Sequence, residues 1–226
     1  MDTIDKFRQI NPNYKIYDIH DSSFSDYGVV YPFDSVSEIN DVISQYAKPI
    51  DGMQYVSPIK ELESKRLINK IKYDIFGDMP IDVGLTFGHS EEFTAFEYHQ
   101  CSEVNIMLDD VIMVLGKRQT LETYGTIDPN REAKMFYVPK GSVIELYNDT
   151  LHYAPLQVTS EGYKVVVIVI SGTNTSLSEN VVTANPRLVK KGKFQVVHAC
   201  RKDKLAQGYK LAVVGDVIKT NSLKMY

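Results

Sequence analysis

The chain has 226 residues, of which 43% are hydrophobic and 24% charged, and these values are typical of a globular protein with a substantial core. Its formal net charge of -4 argues against general binding to nucleic acid. The longest apolar run, Val165 to Ile170, is far shorter than the roughly 20 residues that span a bilayer, so we expect no membrane association.

The start of the chain and its cysteines predict a cytoplasmic location. The segment from Met1 to Lys6 has neither a basic leader nor an apolar core, so we expect no signal peptide. The two cysteines, Cys101 and Cys200, are too few for a disulfide framework and suit a reducing compartment. Cys101 lies near the candidate site described below, where it is either a metal ligand or, as is commoner, a free buried thiol.

Charge is distributed unevenly along the chain. Residues 181–226 contain ten Lys or Arg residues and two acidic ones, so the remainder of the chain is strongly acidic. This basic segment either packs on the acidic body or on a partner subunit, or it meets a phosphate or carboxylate ligand.

The first eighty residues predict a helical or mixed cap. Ser35 to Glu38 has the spacing of a capping box, and apolar residues then recur at helical intervals at Val36, Ile39, Val42, Ile43 and Tyr46. We expect a second helix that begins at Ser57, has Pro58 in its first turn and ends at Gly77. Its apolar face would carry Ile68, Ile71 and Ile75.

From about Asp82 the pattern changes to short β-like runs separated by turn residues. It predicts eight strands, near Leu85–Phe87, Thr94–His99, Val104–Leu108, Val111–Leu115, Lys134–Val138, Val143–Tyr147, Ala154–Val158 and Tyr163–Ile170. Many short strands with no helix of consequence between them are typical of a jelly roll or a closed barrel.

Two further strand-like runs follow, Phe194–His198 and Leu211–Val214. The sequence does not identify their partner strands, so they either extend a sheet or form a dimer contact. We therefore divide the chain into a helical or mixed cap (1–80), a barrel core (81–176) and a β-rich C-terminal extension that packs on the barrel (177–226).

Acidic residues and histidines recur where a metal site would need them. Residues two apart on a strand point to the same face, so Glu97 and His99 are expected to share one. A turn through residues 100–102 would then return the chain and place Glu103 on the neighbouring strand. Downstream, the turn Pro139-Lys140-Gly141 sends the chain back across the barrel towards His152.

These two groups of residues resemble the two motifs of the cupin family. The first cupin motif pairs a ligand with a His and places a Glu four positions later, and the second has a Pro-x-Gly turn followed by a His. Ser102-Glu103-Val104 is also similar to the germin-like form. The resemblance covers roughly residues 85–172 and implies a mainly β, cupin-like jelly-roll barrel that pairs into a homodimer. It further implies that the barrel holds one metal ion through four residues, which are Glu97, His99, Glu103 and His152.

The chain departs from the cupin pattern at three places. Glu97 stands where many cupins have His, and Asp110 stands where the first motif usually ends in Gly. The separation between Gly141 and His152 is longer than in the common form.

Electrostatics favours a cation at this place. Two carboxylates that share an interior repel each other unless a positive charge lies between them. Two carboxylates with two imidazoles suit Mn²⁺, Fe²⁺, Co²⁺, Ni²⁺ or Zn²⁺, so we predict one divalent metal ion. The alternative is an emptied site in which both histidines are hydrogen-bonded interior residues.

Several other residues have two interpretations. His89 either faces the pocket or lies on its rim, and Asn105, on the same face as Glu103, either supports the site or is a satisfied polar group. Lys117 and Arg118 either receive a substrate carboxylate or phosphate, or belong to a solvated loop.

The predicted metal site favours an enzyme with a small-molecule substrate. With no flavin, nicotinamide or pyridoxal signature in the sequence, we expect a metal-dependent lyase or isomerase that acts on a sugar, a sugar phosphate or a hydroxy acid. The catalytic candidates are Glu97 and Glu103, either of which could transfer the proton instead of binding the metal. The alternative function is a non-catalytic cupin module that binds a sugar-like ligand.

Overall fold

The computed structural model describes residues 1–34 and 36–224, and most of its regular structure is β. The strands are β1 (Ile16–Asp18), β2 (Gly28–Tyr31), β3 (Met53–Val56), β4 (Ile81–Gly88), β5 (Glu92–Phe93), β6 (Ala95–His99), β7 (Glu103–Met107), β8 (Val111–Lys117), β9 (Ala133–Val138), β10 (Val143–Leu146), β11 (Thr150–Leu151), β12 (Leu156–Gln157), β13 (Tyr163–Ile170), β14 (Leu188–Lys190), β15 (Lys193–His198), β16 (Lys210–Val213) and β17 (Ile218–Lys219).

The helices are short and lie mostly before β4. They are α1 (Thr3–Ile10), α2 (Asn40–Ile43), α3 (Lys60–Glu63), α4 (Arg66–Asp74), α5 (Arg118–Tyr124), α6 (Pro129–Glu132) and α7 (Lys202–Ala206), with 3-10 turns at Ser22–Asp26 and Val36–Ile39. Among the described helices, none has the length and apolar character needed to cross a membrane.

Two sheets form the body of the protein. The first has six antiparallel strands in the order β2-β10-β7-β13-β4-β3. The second has the order β1-β9-β8-β11, with β12 also on β8. A third sheet, β14-β15-β16, takes up β6 on β15, and a β-bridge between Glu97 and His152 joins it to the second.

The alternation of side chains along the strands separates an inner apolar layer from an outer one. Met107 on β7 and Met113 on β8 belong to an apolar cluster that contains residues of both main sheets, whereas Val104 and Ile106 on β7 pack outward with the helical segment. The buried face of α4, which includes Ile68, covers this outer side. Each such side chain contributes about 1.5–3 kcal/mol when fully buried. The layered architecture confirms the predicted mainly β fold class.

All eight strands predicted between residues 85 and 170 are present, with shifted ends. The expectation that no helix of consequence interrupts them is wrong, because α5 and α6 lie between β8 and β9. Leu121 is the buried residue of α5, and a polar helix with so little apolar periodicity gives a weak sequence signal. Asp128 caps α6, and its side chain accepts a hydrogen bond from the backbone of Asn130.

The helix predicted from Ser57 begins later and is divided in two. The backbone N–H of Ile59 donates to the carbonyl of Val83 at 2.7 Å, so this segment still follows β4 and α3 starts only at Lys60. Lys65 has an extended backbone between α3 and α4. The expected apolar face survives in α4, and Gly77 after it adopts a positive φ of 57°.

Segments on both sides of the barrel core share its sheets. Three strands from the first eighty residues, β1, β2 and β3, pair with β9, β10 and β4. Near the other end of the chain, β15 pairs with β6. The predicted domain limits at residues 80 and 176 stay a prediction, and the capping box at Ser35 lies outside the described residues.

Candidate metal centre

Strand β6 carries two of the four predicted ligands on one face. Glu97 and His99 are two residues apart on this strand, so both side chains point to the same side, and both are largely buried. Glu97 Oε1 lies 3.9 Å from His99 Nε2.

Strand β7 brings Glu103 back to the same place. Residues 100–102 connect β6 to β7, and Glu103 begins β7 with its carboxylate buried. The expectation that Glu103 lies on a strand next to that of His99 is wrong, because β6 pairs with β15 whereas β7 pairs with β10 and β13. Oε2 of Glu103 lies 3.1 Å from His99 Nε2, and Oε1 accepts a hydrogen bond from Asn105 Nδ2 at 2.8 Å. Asn105, on the same face of β7 as Glu103, therefore holds the Glu103 carboxylate in position. This contact agrees with the first of its two interpretations, a residue that supports the site.

His152 reaches the cluster through the main chain. The Glu97 N–H donates to the His152 carbonyl at 2.6 Å, and the His152 N–H donates to the Glu97 carbonyl at 2.9 Å. The imidazole Nδ1 lies 3.0 Å from the Thr150 carbonyl, which accepts a hydrogen bond if Nδ1 carries the proton. That tautomer leaves the lone pair of Nε2 facing the cluster, the usual arrangement of a histidine ligand.

The four predicted side chains meet at one point. One donor atom each from Glu97, His99 and His152 lies within 4.8 Å of the other two. Glu103 contacts both imidazoles, since its Oε1 is 3.6 Å from His152 Nε2. A turn and a backbone bridge thus unite residues from three separate parts of the chain.

The donor atoms fit a divalent metal ion. Nε2 of both histidines is buried and has no hydrogen bond of acceptable geometry to any described residue, and Nδ1 of His99 also lacks one. Buried polar atoms are normally satisfied, so unpartnered nitrogens beside two carboxylates indicate that a further group belongs there. Two imidazoles and two carboxylates are a suitable ligand set for the divalent ions named above.

The imidazoles and carboxylates stabilise one another's charged forms. Burial would raise the pKa of Glu103, but the nearby His152 and His99 outweigh it and hold that pKa well below its usual range. Burial would lower the pKa of His152, yet the charge of Glu103 raises it overall. The ionised carboxylates that favour a proton on His152 would equally favour a metal cation bound in its place.

Lys193 is a member of the site that sequence reasoning missed. It lies directly opposite His99 in the β6–β15 pairing, and its Nζ is 2.6 Å from Glu97 Oε2. Burial would raise the pKa of Glu97, but the charge of Lys193 and the two imidazoles lower it. Burial would likewise lower the pKa of Lys193, and Glu97 raises it. The strand-like run at 194–198 was visible in the sequence, but nothing local shows that it pairs with β6.

A cavity of about 210 Å³ opens onto the cluster. It is smaller than the ~300–1,000 Å³ typical of pockets for drug-sized ligands, so it suits a small metabolite. Glu97, Glu103 and His152 form part of its lining. The remaining polar lining includes tyrosines, amides and lysines, which are Tyr55, Tyr153, Tyr209, Asn105, Asn174, Gln195, Lys190, Lys193 and Lys204.

Other candidates named from the sequence do not reach this cavity. His89 lines a separate depression near Lys48 and Lys164. Lys117 pairs with Asp149 at 2.8 Å, and Arg118 contacts Glu122 and lies over the ring of Tyr98. These two basic residues therefore have structural partners.

Cys101 is also outside the cluster. Both cysteines are free and exposed, so the expectation of a buried thiol at Cys101 is wrong. The residue lies in the turn that connects β6 to β7, where its side chain faces away from the cluster-bearing interior.

The layered β-sheets thus enclose a cluster of two imidazoles and neighbouring carboxylates that is a candidate metal centre. The chain belongs to the family described as "Domain of unknown function (DUF4867)", whose model matches residues 16–218. A search of curated proteins found no match.

Several solved structures are similar to this chain at low sequence identity. A variant of oxalate decarboxylase OxdC from Bacillus subtilis has 12% sequence identity and a TM-score of 0.34, and the match covers 57% of this chain and 28% of that chain. A second oxalate decarboxylase structure matches 63% of this chain and 32% of that chain, with 12% identity and a TM-score of 0.36. Fe(II)-HppE with the alternative substrate (S)-1-HPP has 8% identity and a TM-score of 0.33, with coverages of 63% and 56%. This chain thus spans about a third or less of the oxalate decarboxylase chains it matches.

Proposed function

We propose that the protein is a metal-dependent lyase or isomerase that acts on a small polar metabolite, a sugar, sugar phosphate or hydroxy acid. The observation that carries this proposal is the convergence of two buried imidazoles and two largely buried carboxylates beside a polar cavity. A purely structural cluster would not need unpartnered nitrogens beside a space of this size.

In this proposal His99, Glu103 and His152 hold one divalent metal ion, and Glu97, the fourth predicted donor, lies beside it. Such an ion, when bound, coordinates substrate oxygens and acidifies an adjacent C–H or O–H bond. Thr150 fixes the ring of His152, and Asn105 fixes the carboxylate of Glu103. These partners keep the donors in a constant orientation during turnover.

The two glutamates differ in their surroundings, which assigns them different roles. Glu103 is held between His99, His152 and Asn105, and we assign it as a ligand. Glu97 lies at the edge of the cluster and contacts Lys193 inside the cavity. We assign Glu97 the proton transfer to or from the substrate, with Lys193 stabilising its ionised form.

Metal analysis of untagged protein purified without added metal tests this proposal. We expect near-stoichiometric transition metal in the wild type and its loss in Glu103→Ala and His152→Ala. The affinity should fall at least about 100-fold, since removing only an outer partner already costs 10–100-fold. Glu161→Gln and His20→Ala change exposed residues of the same types and should leave the metal content unchanged.

Turnover is tested with sugar phosphates and hydroxy acids in deuterium oxide. A lyase or isomerase is expected to exchange a substrate proton for deuterium, and exchange should be lost in Glu97→Gln. A protein that binds metal but exchanges no proton with any of these compounds would support the non-catalytic cupin module instead. A metal-free protein with equal stability in wild type and both ligand variants would contradict the metal site itself.

The assembly and location of the protein are part of the same proposal. We propose a homodimer in the cytoplasm, with a small molecule as its ligand. Sedimentation equilibrium at several protein concentrations tests the dimer, and a monomer throughout would contradict it.

A further inference from the structure

The cavity wall beside the metal cluster carries three lysines from one stretch of the chain. Lys190 ends β14, Lys193 begins β15, and Lys204 lies in α7. All three line the cavity of the proposed metal centre. The hairpin between β14 and β15 and the following helix therefore concentrate positive charge at one side of a small space.

Only one of these lysines has an acidic partner among the described residues. Lys193 pairs with Glu97 at 2.6 Å. No carboxylate of the described chain lies within ion-pair distance of Lys190 or Lys204; the Nζ of Lys204 instead lies 4.7 Å above the ring of Tyr209. The ammonium groups of Lys190 and Lys204 thus form no ion pair with the described residues.

The lysines also disfavour one another's charge. Burial lowers the pKa of Lys190, and the charges of Lys193 and Lys204 lower it further. Like charges that gather at a concave surface are stabilised when an anion binds between them. In the cluster, Glu103 is already in contact with both imidazoles and Glu97 with Lys193, so the negative charge of the two glutamates is partly balanced. A divalent ion bound there would therefore add to the positive charge of the cavity.

Neutral donors complete the same wall. Tyr209 lies next to Lys204, and Gln195 is buried with its amide nitrogen, Nε2, unpartnered among the described atoms. Gln195 lies opposite Glu97 in the strand pairing and shares a face with Lys193. Ammonium, phenol and amide groups together form the donor set that oxyanions bind.

We propose that this wall is an anion subsite, in which Lys190 and Lys204 bind the phosphate or carboxylate group of a small substrate. The identification of that anion as a substrate rests on the proposed function. The anionic group lies against the two lysines while the rest of the molecule extends to the metal cluster. The subsite thereby selects a sugar phosphate or a hydroxy acid over a neutral sugar.

Calorimetric titration of the full chain tests the subsite with three probes, which are inorganic phosphate, glycolate and neutral glycerol. We expect phosphate or glycolate to bind and glycerol not to bind. Lys190→Gln and Lys204→Gln should each weaken the anion about tenfold or more, because each removes a charge-assisted contact. The tighter of phosphate and glycolate identifies the class of anion.

Two neighbouring lysines provide matched controls. Lys191 and Lys202 are exposed, lie next to the subsite in sequence and do not line the cavity. Lys191→Gln and Lys202→Gln should bind the probe as the wild type does. Equal losses in control and subsite variants would indicate a general surface-charge effect and overturn the proposal, as would anion binding that no lysine variant changes or a wild type that binds neither anion.

Metal content measured on the same samples separates this proposal from the proposed function. Lysine-dependent anion binding in a protein that takes up no metal would support the subsite and contradict the metal enzyme. Stoichiometric metal together with anion binding that no lysine variant changes would support the metal enzyme and contradict the subsite. Neither Lys190 nor Lys204 is among the proposed ligands, so their variants are expected to keep the metal.

Discussion

The barrel strands between residues 81 and 176 and the C-terminal segment from residue 177 contribute to the same cavity in different ways. The barrel strands supply the imidazoles and carboxylates, whereas the C-terminal segment supplies the lysines. In the barrel, the alternation of side chains already shows which residues point inward, as with Glu97 and His99. In the C-terminal segment the same alternation is present, but its meaning depends on the partner strand, which is β6.

The difference between the two regions shows that the direction of a side chain follows from neighbouring residues in the sequence, whereas the partner of a strand does not. Lys193 became part of the site only because β15 lies against β6 and places it opposite His99. The two regions also meet chemically in the Glu97–Lys193 ion pair. Variants that act on one region or on their contact therefore test how far the two are separate.

The largest effect is expected from the inner layer of the barrel. Phe136 is fully buried and its ring contacts the rings of Tyr17, Phe24 and Tyr27, so Phe136→Ala should lower the free energy of unfolding by ~4 kcal/mol. Val196→Ala in the C-terminal segment should cost ~2 kcal/mol, because fewer methylene groups leave the core. Urea denaturation measures both. A separate early transition in Val196→Ala would show that the segment unfolds independently of the barrel.

A smaller effect is expected at the contact between the regions. Lys193→Met leaves the largely buried carboxylate of Glu97 without its cation, which should destabilise the metal-free protein by ~3 kcal/mol, at the low end for loss of one partner of a buried ion pair. Bound metal should reduce this cost, since it supplies another positive charge beside Glu97. Lys191→Met is the control and should be near neutral. If Lys193→Met lowers the free energy of unfolding equally with and without metal, Lys193 and the metal ion do not both stabilise the charge of Glu97, and the interpretation is contradicted.

The smallest effect concerns pH and the barrel region alone. The lowered pKa of Glu103 stabilises the fold above its unfolded value of 4.5, and this contribution is lost as the pH falls through the folded pKa. The raised pKa of His152 stabilises the fold fully below its unfolded value of 6.5, and this contribution is lost as the pH rises through the folded pKa. The metal-free protein should therefore benefit most from this pair between about pH 4.5 and 6.5. The difference in unfolding free energy between wild type and Glu103→Gln should be largest within this window. It should shrink as the pH falls through the folded pKa of Glu103 and as it rises through the folded pKa of His152, and a constant difference at all pH values would contradict the interpretation.

The mainly β fold and the imidazole and carboxylate side of the cavity could be predicted from the sequence, whereas its lysine side could not. Period-two patterns and turn residues revealed the eight strands, and the Glu-x-His spacing revealed the inward face of β6. The helix at Arg118–Tyr124 was missed because its exposed polar residues carry little periodicity. The lysines were seen only as an excess of positive charge, because the β6–β15 pairing joins residues that no local pattern relates. The helix expected from Ser57 begins only at Lys60, because the backbone of Ile59 is hydrogen-bonded to Val83 of β4, a contact that no local pattern indicates.

The reciprocal hydrogen bonds between the main chains of Glu97 and His152 are made by peptide groups and do not depend on the charge of either side chain. Two donors are therefore held in place before any ion arrives, in contrast to proteins that fold around their metal. Little conformational entropy remains to be lost on binding. A chelator is expected to remove the ion without changing the far-ultraviolet circular dichroism spectrum. The metal-free protein should then bind the ion again without a refolding step.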